Sequence, residues 1–227
     1  MKRGEIMSNA WILGNGPSRP REENWLKNIR DHGTVYGCNA LYRDWEPNHL
    51  VVNDWRMMTE IIESDYRGQC HFTEFEPLPI DTFDMMNTIQ GFNLDTAIYY
   101  GSREGATDFV FMGDEAINVY QIIWVGPNTD HISWGLKPRM FGMSSGLCAL
   151  QLALSEGYEE IAMEGFDGLK TKNYRNLYDG TRGYTYDPAA PDKKRIPEKY
   201  VPLEADKWES AYKLLIEENP NTKVNLT

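Results

Sequence analysis

Histidine and cysteine are scarce in this chain, and long apolar runs are missing altogether. The four histidines are His32, His49, His71 and His131, so nothing beyond Asp167 can supply an imidazole. The three cysteines, Cys38, Cys70 and Cys148, have no paired spacing and stand among apolar neighbours. That pattern excludes a disulfide framework and a Cys/His zinc site, and it points to buried free thiols in a reducing compartment. No stretch approaches the ~20 apolar residues that span a bilayer, and the opening MKRGEIMSNA lacks the apolar core of a signal peptide. The expectation is a soluble, cytoplasmic chain without a membrane span. Positive charge is also short: 23 Lys and Arg face 34 Asp and Glu, a net charge of −11. Such a balance does not indicate a nucleic-acid partner along the whole surface, although it leaves room for a local basic groove. Internal repeats, low-complexity segments, a GxGxxG fingerprint, a GxxxxGK[ST] phosphate loop and a D-x-D metal motif are absent as well. What remains is 227 residues with 41% hydrophobic content, enough for one large domain with a core.

Two glycine-bearing stretches dominate what is present. Residues 142–168 (GMSSGLCALQLALSEGYEEIAMEGFDG) read as loop, helix, strand and loop. Ser144 and Ser145 carry oxygens that accept from the free amides of a first helical turn, and Gly146 permits close approach of backbone or ligand. Leu147, Leu150, Leu154 and Tyr158 recur at three- and four-residue intervals, the apolar stripe of a helix that Gly157 ends. Glu159 to Glu164 then reads as a short strand. Phe166 and Asp167 therefore stand at a strand end, where open parallel sheets bind ligands.

The second stretch lies near the start, where Ala10 to Leu13 is an apolar strand running into Gly14-Asn15-Gly16-Pro17-Ser18. Amides in such a turn can face a phosphate or ribose, and Ser18 adds a hydroxyl. A helix over Arg21 to His32 follows, with Trp25, Leu26 and Ile29 toward a sheet and Gly33 at its end. Thr34 to Cys38 forms the next strand, completing a βαβ unit with a right-handed crossover. Leu50 to Asn53 gives a third strand, and a helix runs on through Ser64. Asn15, Asn39 and Asn53 thus occupy three strand ends. Amides that both donate and accept suit an uncharged nucleoside better than acid–base chemistry.

From Gln69 to Arg139 the helical period is lost. Cys70 to Phe75, Thr96 to Tyr100, Asp108 to Met112 and Val119 to Val125 read as strands, the last two as a hairpin. His131 reads as a surface residue, with a base as its alternative role. Between Asp167 and Tyr200 eight Lys or Arg face five acids, and five tyrosines (Tyr174, Tyr178, Tyr184, Tyr186, Tyr200) interleave with Gly and Pro. Long irregular stretches of this kind are lids, binding loops or disordered segments, and here cations and phenols could neutralise a leaving phosphate. Glu204 to Glu218 is an amphipathic helix with Trp208, Ala211, Tyr212 and Leu215 inward, and Lys223 to Leu226 is a last strand.

In order along the chain, ILGNGPS (Ile12 to Ser18), Gly37-Cys38-Asn39 with Tyr42, LVVN (Leu50 to Asn53), and SSG with GYEEIAMEGFD (Ser144 to Asp167) resemble the bacterial sialyltransferases that have a single Rossmann-like nucleotide-sugar domain. More loosely, they resemble related domains of unknown function that share the opening loop. The resemblance covers about the first 54 residues, residues 142–168 and the last helix and strand. It implies an α/β fold of one Rossmann-like domain with a mainly parallel sheet, to which the residues themselves add a strand- and loop-rich insertion over about 69–140 and a lid-like loop over about 168–200. It also implies metal-independent transfer of a sugar from a CMP-type donor, with no further cofactor. Gly14, Asn15, Gly16, Pro17, Ser18, Asn39, Asn53, Ser144, Ser145, Gly146 and Phe166 would then hold the nucleotide. Asp167, Tyr174, Arg175 and Tyr178 would take the catalytic roles. The chain departs from the family where a histidine base is expected before the final helix, since Val201 and its neighbours lie there. Leu169 and Arg175 occupy the spacings of the family's two phosphate-facing tyrosines. Two other readings stay open, a Mg²⁺-dependent pyrophosphokinase-type enzyme using acids near Asp54 or Asp167, and a nucleotide-binding or interaction protein without catalysis. Acceptor and oligomeric state are left open, an oligomer being compatible with the sequence.

Overall fold

A computed structural model describes residues 9–73, 76–79, 98–100, 110–112, 122–125, 130–184, 202 and 205–227. In chain order the first elements are β1 (Asn9–Leu13), α1 (Glu23–His32), β2 (Thr34–Cys38), a 3-10 turn (Asn39–Arg43), β3 (His49–Val52), α2 (Trp55–Glu63), β4 (Cys70–Thr73) and β5 (Glu76–Pro79). Then come β6 (Ile98–Tyr100), β7 (Val110–Met112), β8 (Ile122–Val125), β9 (Ile132–Leu136), α3 (Ser145–Glu156), β10 (Glu160–Glu164), α4 (Asp167–Lys170), α5 (Ala205–Glu218) and β11 (Lys223–Leu226). The fold is α/β and Rossmann-like, and the pairs β1–β10, β1–β2, β10–β11, β2–β3 and β4–β9 are all parallel. The residues group into two units, Met1–Val51 with Pro138–Thr227, and Val52–Lys137.

In the first unit the strand order is β11-β10-β1-β2-β3. β1 pairs with β10 from Asn9↔Glu160 to Leu13↔Glu164 and with β2 from Ala10↔Thr34 to Leu13↔Gly37. Strands with neighbours on both sides and helices on both faces have no exposed surface. Accordingly Ile12, Leu13, Val35 and Tyr36 are fully buried and the runs are apolar without alternation. Helix α3 is buried nearly all round, from Ser145 through Leu154. Ser144 caps it, accepting from the Leu147 amide at 3.4 Å, and Gly157 ends it in the left-handed conformation at φ 81°. Tyr36 Oη donates to Glu156 Oε2 at 2.9 Å and so ties the last turn of α3 to the sheet. Helix α1 begins two residues later than its periodicity suggests, and buries Leu26 and Ile29 while Trp25 is only half-buried. On α5, Ala211 and Leu215 are buried, and Trp208 meets Tyr174 edge to face.

The chain adds β2 and β3 on one side of β1, and β10 and β11 on the other. The reversal falls between β1 and β10. Ligands of open parallel sheets bind at such a reversal, outside the carboxyl ends of the strands.

In the second unit β4 pairs in parallel with β9, with a register shift between His71 and Thr73, and Phe72 packs edge to face on Trp134. A four-stranded sheet has the order β5-β8-β7-β6. β7 and β8 form the expected antiparallel pair, with Val110↔Ile123 and Phe111↔Ile122. Strand β9 has no counterpart in the sequence reading. The flanks of several expected middle strands, among them residues 74–75, 96–97, 108–109 and 119–121, lie outside the described residues. All three cysteines are buried, and none forms a disulfide. Among the described residues no helix is long and apolar enough to cross a membrane.

Candidate functional site

The site is built at the β1/β10 reversal, within the first unit. The loop after β1 is laced to the loop after β10 by two backbone bonds: the Gly14 amide donates to Glu164 O at 2.8 Å and the Gly16 amide to Gly165 O at 2.9 Å. Only glycine fits here. A Cβ on Gly16 would lie 2.1 Å from Asp167 Oδ2 and 2.6 Å from Gly165 O, and one on Gly14 would lie 2.5 Å from Gly165 O. The exposed turn of Pro17 and Ser18 follows. Ser18 gives both its amide and its hydroxyl to Asp167 Oδ2, at 3.1 and 2.9 Å, so the half-exposed Asp167 carboxylate ties the β10 loop to the β1 loop.

Asn15 points inward. Its Nδ2 donates to the Cys38 carbonyl at 3.0 Å, joining the ends of β1 and β2, and its Oδ1 accepts from Arg19 Nη1 at 3.0 Å. Arg19 is 5% exposed, and its other terminal nitrogen, Nη2, donates to Asp44 Oδ2 at 2.9 Å and to Tyr178 Oη at 3.2 Å. Tyr178 in turn donates its hydroxyl to the same Asp44 oxygen at 2.7 Å. Burial pushes the Tyr178 phenol up to about 12, with the Arg19 cation opposing the shift. Burial likewise holds the Cys38 thiol above its ordinary range, with Cys148 adding to the shift and Arg19 opposing it.

Asn39 follows Cys38 with φ 47°, a left-handed residue that turns the chain from β2 into the 3-10 turn. Its Oδ1 accepts from Ser145 Oγ at 2.8 Å, linking the end of β2 to the first turn of α3. Gly146 completes the join: a Cβ there would sit 2.4 Å from the Phe166 ring, so the helix start and the β10 loop touch without a gap. Gly14, Asn15, Gly16, Ser18, Asn39, Ser145, Gly146, Phe166 and Asp167 are thus brought together by direct contact, with Pro17 and Ser144 adjoining them in the chain.

The tyrosine-bearing stretch divides. Up to Tyr184 it lies on the β1 loop: the Leu177 amide donates to Asn15 O at 2.8 Å, and Arg43 reaches Thr181 Oγ1 and Arg182 O, each at 2.7 Å. Tyr178 is buried within it and Tyr174 is half-buried against Trp208. Arg175 is exposed and paired with Asp179 at 2.9 Å. Residues 185–200 of the expected lid lie outside the described residues. Asn53 belongs to the second unit, where it bonds Thr73 Oγ1. His131 belongs there too. It is half-buried, its Nε2 has no hydrogen-bond partner among the described residues, and burial followed by the Arg67 charge lowers its pKa.

Arg19 and Asp44 are absent from the residues singled out in the sequence. Arg19 stands directly after the loop, which is a local signal, whereas Asp44 is recruited from 25 positions away and leaves no periodic trace. Beside them opens a cleft of about 240 Å³ whose apolar wall is Pro20, Leu26, Leu41 and Trp45. The chain matches no family model and no curated protein.

Proposed function

We propose that the first unit transfers a sugar from a nucleotide-activated donor of the CMP-sugar type to an acceptor, without a metal ion. One observation carries the reading: the β1 loop, the β2 end, the start of α3 and the β10 loop are mutually bonded at the sheet's topological reversal. An uncharged lining of Asn39, Ser144 and Ser145, with the Phe166 ring beside it, suits a nucleoside. Departure of CMP leaves a phosphate that gains negative charge in the transition state. Fixed cations and phenols stabilise such charge, and Arg175, Tyr174 and Tyr178 are the residues assigned to it. Asp167 holds the β1 loop through Ser18.

The test is nucleotide release from CMP- and UDP-activated sugars, with and without EDTA. Release of CMP is expected to persist in EDTA, and Arg175→Ala with Tyr178→Phe to lower turnover more than CMP affinity. Release that requires Mg²⁺ would move the chemistry to the pyrophosphokinase class. A second reading, nucleotide binding without catalysis, is favoured by the pairing of Asp167, Arg175 and Tyr178 with protein partners. CMP binding with no release from any donor would select it.

A further inference from the structure

The cleft beside the β1 loop has an unspent acid at its polar end. Asp44 makes both of its bonds through Oδ2, to Arg19 and to Tyr178, and its Oδ1 has no partner among the described residues. The side chain is 34% exposed and lines the cleft. Two donors share the same lining: the Trp45 indole, which meets the Arg30 guanidinium 5.7 Å from its ring centroid, and the exposed Arg21. Neither side chain donates a hydrogen bond among the described residues. At about 240 Å³ the cleft is smaller than the pockets of drug-sized ligands, which begin near roughly 300 Å³. An aromatic wall with one free carboxylate oxygen and two free donors matches a single hydroxylated ring, whose C–H face packs on indole and whose hydroxyls both donate and accept. Arg19 fixes where this happens, because the guanidinium that holds Asp44 also holds Asn15 of the β1 loop.

We infer that this cleft receives the acceptor as a saccharide ring, and that Asp44 is the catalytic residue that takes the proton of the attacking hydroxyl. The inference rests on the transfer reading above. In the step, the acceptor oxygen forms a bond to the donor's anomeric carbon. The bond from that carbon to the phosphate oxygen breaks with its electron pair going to CMP, and the hydroxyl proton passes to Asp44 Oδ1.

Lactose serves as the probe saccharide and a CMP-activated sialic acid as the donor. Saturation-transfer NMR on the whole protein is expected to show lactose bound to wild type and lost in Trp45→Ala, with CMP affinity held within about threefold. Asp44→Asn keeps an oxygen for Arg19 and Tyr178. It is expected to slow transfer to lactose about 100-fold and to leave CMP affinity in place. Wild type without lactose signal, Trp45→Ala with an undiminished one, or folded Asp44→Asn with wild-type transfer overturns the inference whatever CMP does. Should Asp44→Asn fail to fold, Trp45→Ala decides. Lactose binding that depends on Trp45 in a protein that neither binds nor releases CMP sinks the proposed function and the proton transfer together, leaving only the saccharide cleft.

Discussion

Arg19 reaches three segments of the chain from one side chain: Asn15 on the β1 loop, Asp44 after the 3-10 turn and Tyr178 beyond β10. A planar guanidinium meets three acceptors in fixed directions, and an ammonium on a shorter reach cannot. Arg19→Lys is therefore expected to lower unfolding free energy by about 3 kcal/mol in urea titration, since it leaves buried acceptors and a carboxylate underpaired. A loss below about 1 kcal/mol would show that the network adds little to stability. Tyr178 yields a pH prediction with a defined sign. Its phenol titrates near 10 when unfolded and at about 12 when folded, so the native state holds the proton more tightly. The corresponding stability is whole below pH 10 and is lost as pH rises from 10 to 12. Tyr36, raised in the same direction by burial, adds to the same decline. Stability measured across that window should fall less steeply in Tyr178→Phe than in wild type, and an equal slope would remove Tyr178 from the linkage. None of this was legible at the residue scale, because Arg19, Asp44 and Tyr178 meet only after β1, β2 and β10 have assembled.

Helix α3 separates packing from backbone strain at its two ends. At its start, Gly146→Ala drives a methyl to 2.4 Å from the Phe166 ring. Overpacking of this kind costs about 1–3 kcal/mol, and the displaced ring should also weaken CMP binding. At its end, Gly157→Ala meets no atom within 4 Å but must hold φ 81°, a penalty of about 1–2 kcal/mol. Calorimetry should find both variants destabilised, with CMP affinity reduced only in Gly146→Ala; equal affinities would detach the helix start from the site. The elements themselves were largely readable. Ser144 and Gly157 bracket α3 as cap and stop, and the bounds of β2 and β11 coincide with their apolar runs, because local chemistry sets them. Strand β9 was not, since ISWGL mixes a half-exposed pattern with a left-handed glycine at φ 76° and gains its strand character from pairing with β4. The contact of Gly146 with Phe166 was hidden for the same reason, although both residues stood out singly.

On the scale of the whole molecule, the order β11-β10-β1-β2-β3 puts one topological reversal in the first unit, and the glycine loop, Asn39, the α3 cap and Asp167 surround it. The site is uncharged where a nucleoside would lie, so a net charge of −11 need not repel it at close range, while it would slow capture of an anionic ligand at low salt. A ligand that binds the native state alone raises stability by RT ln(1 + [L]/Kd). Thermal unfolding of wild type, Asn39→Ala and Ser145→Ala against CMP, UMP and GMP is the most direct measurement. At about 100 times its Kd, CMP is expected to add about 2.7 kcal/mol, a rise in Tm of about 5–10 °C for wild type, with smaller shifts for UMP and GMP and for both folded variants. A wild-type Tm that no nucleotide moves at millimolar concentration, or a CMP shift undiminished in Asn39→Ala and Ser145→Ala, would contradict a nucleotide site at the β1/β10 reversal.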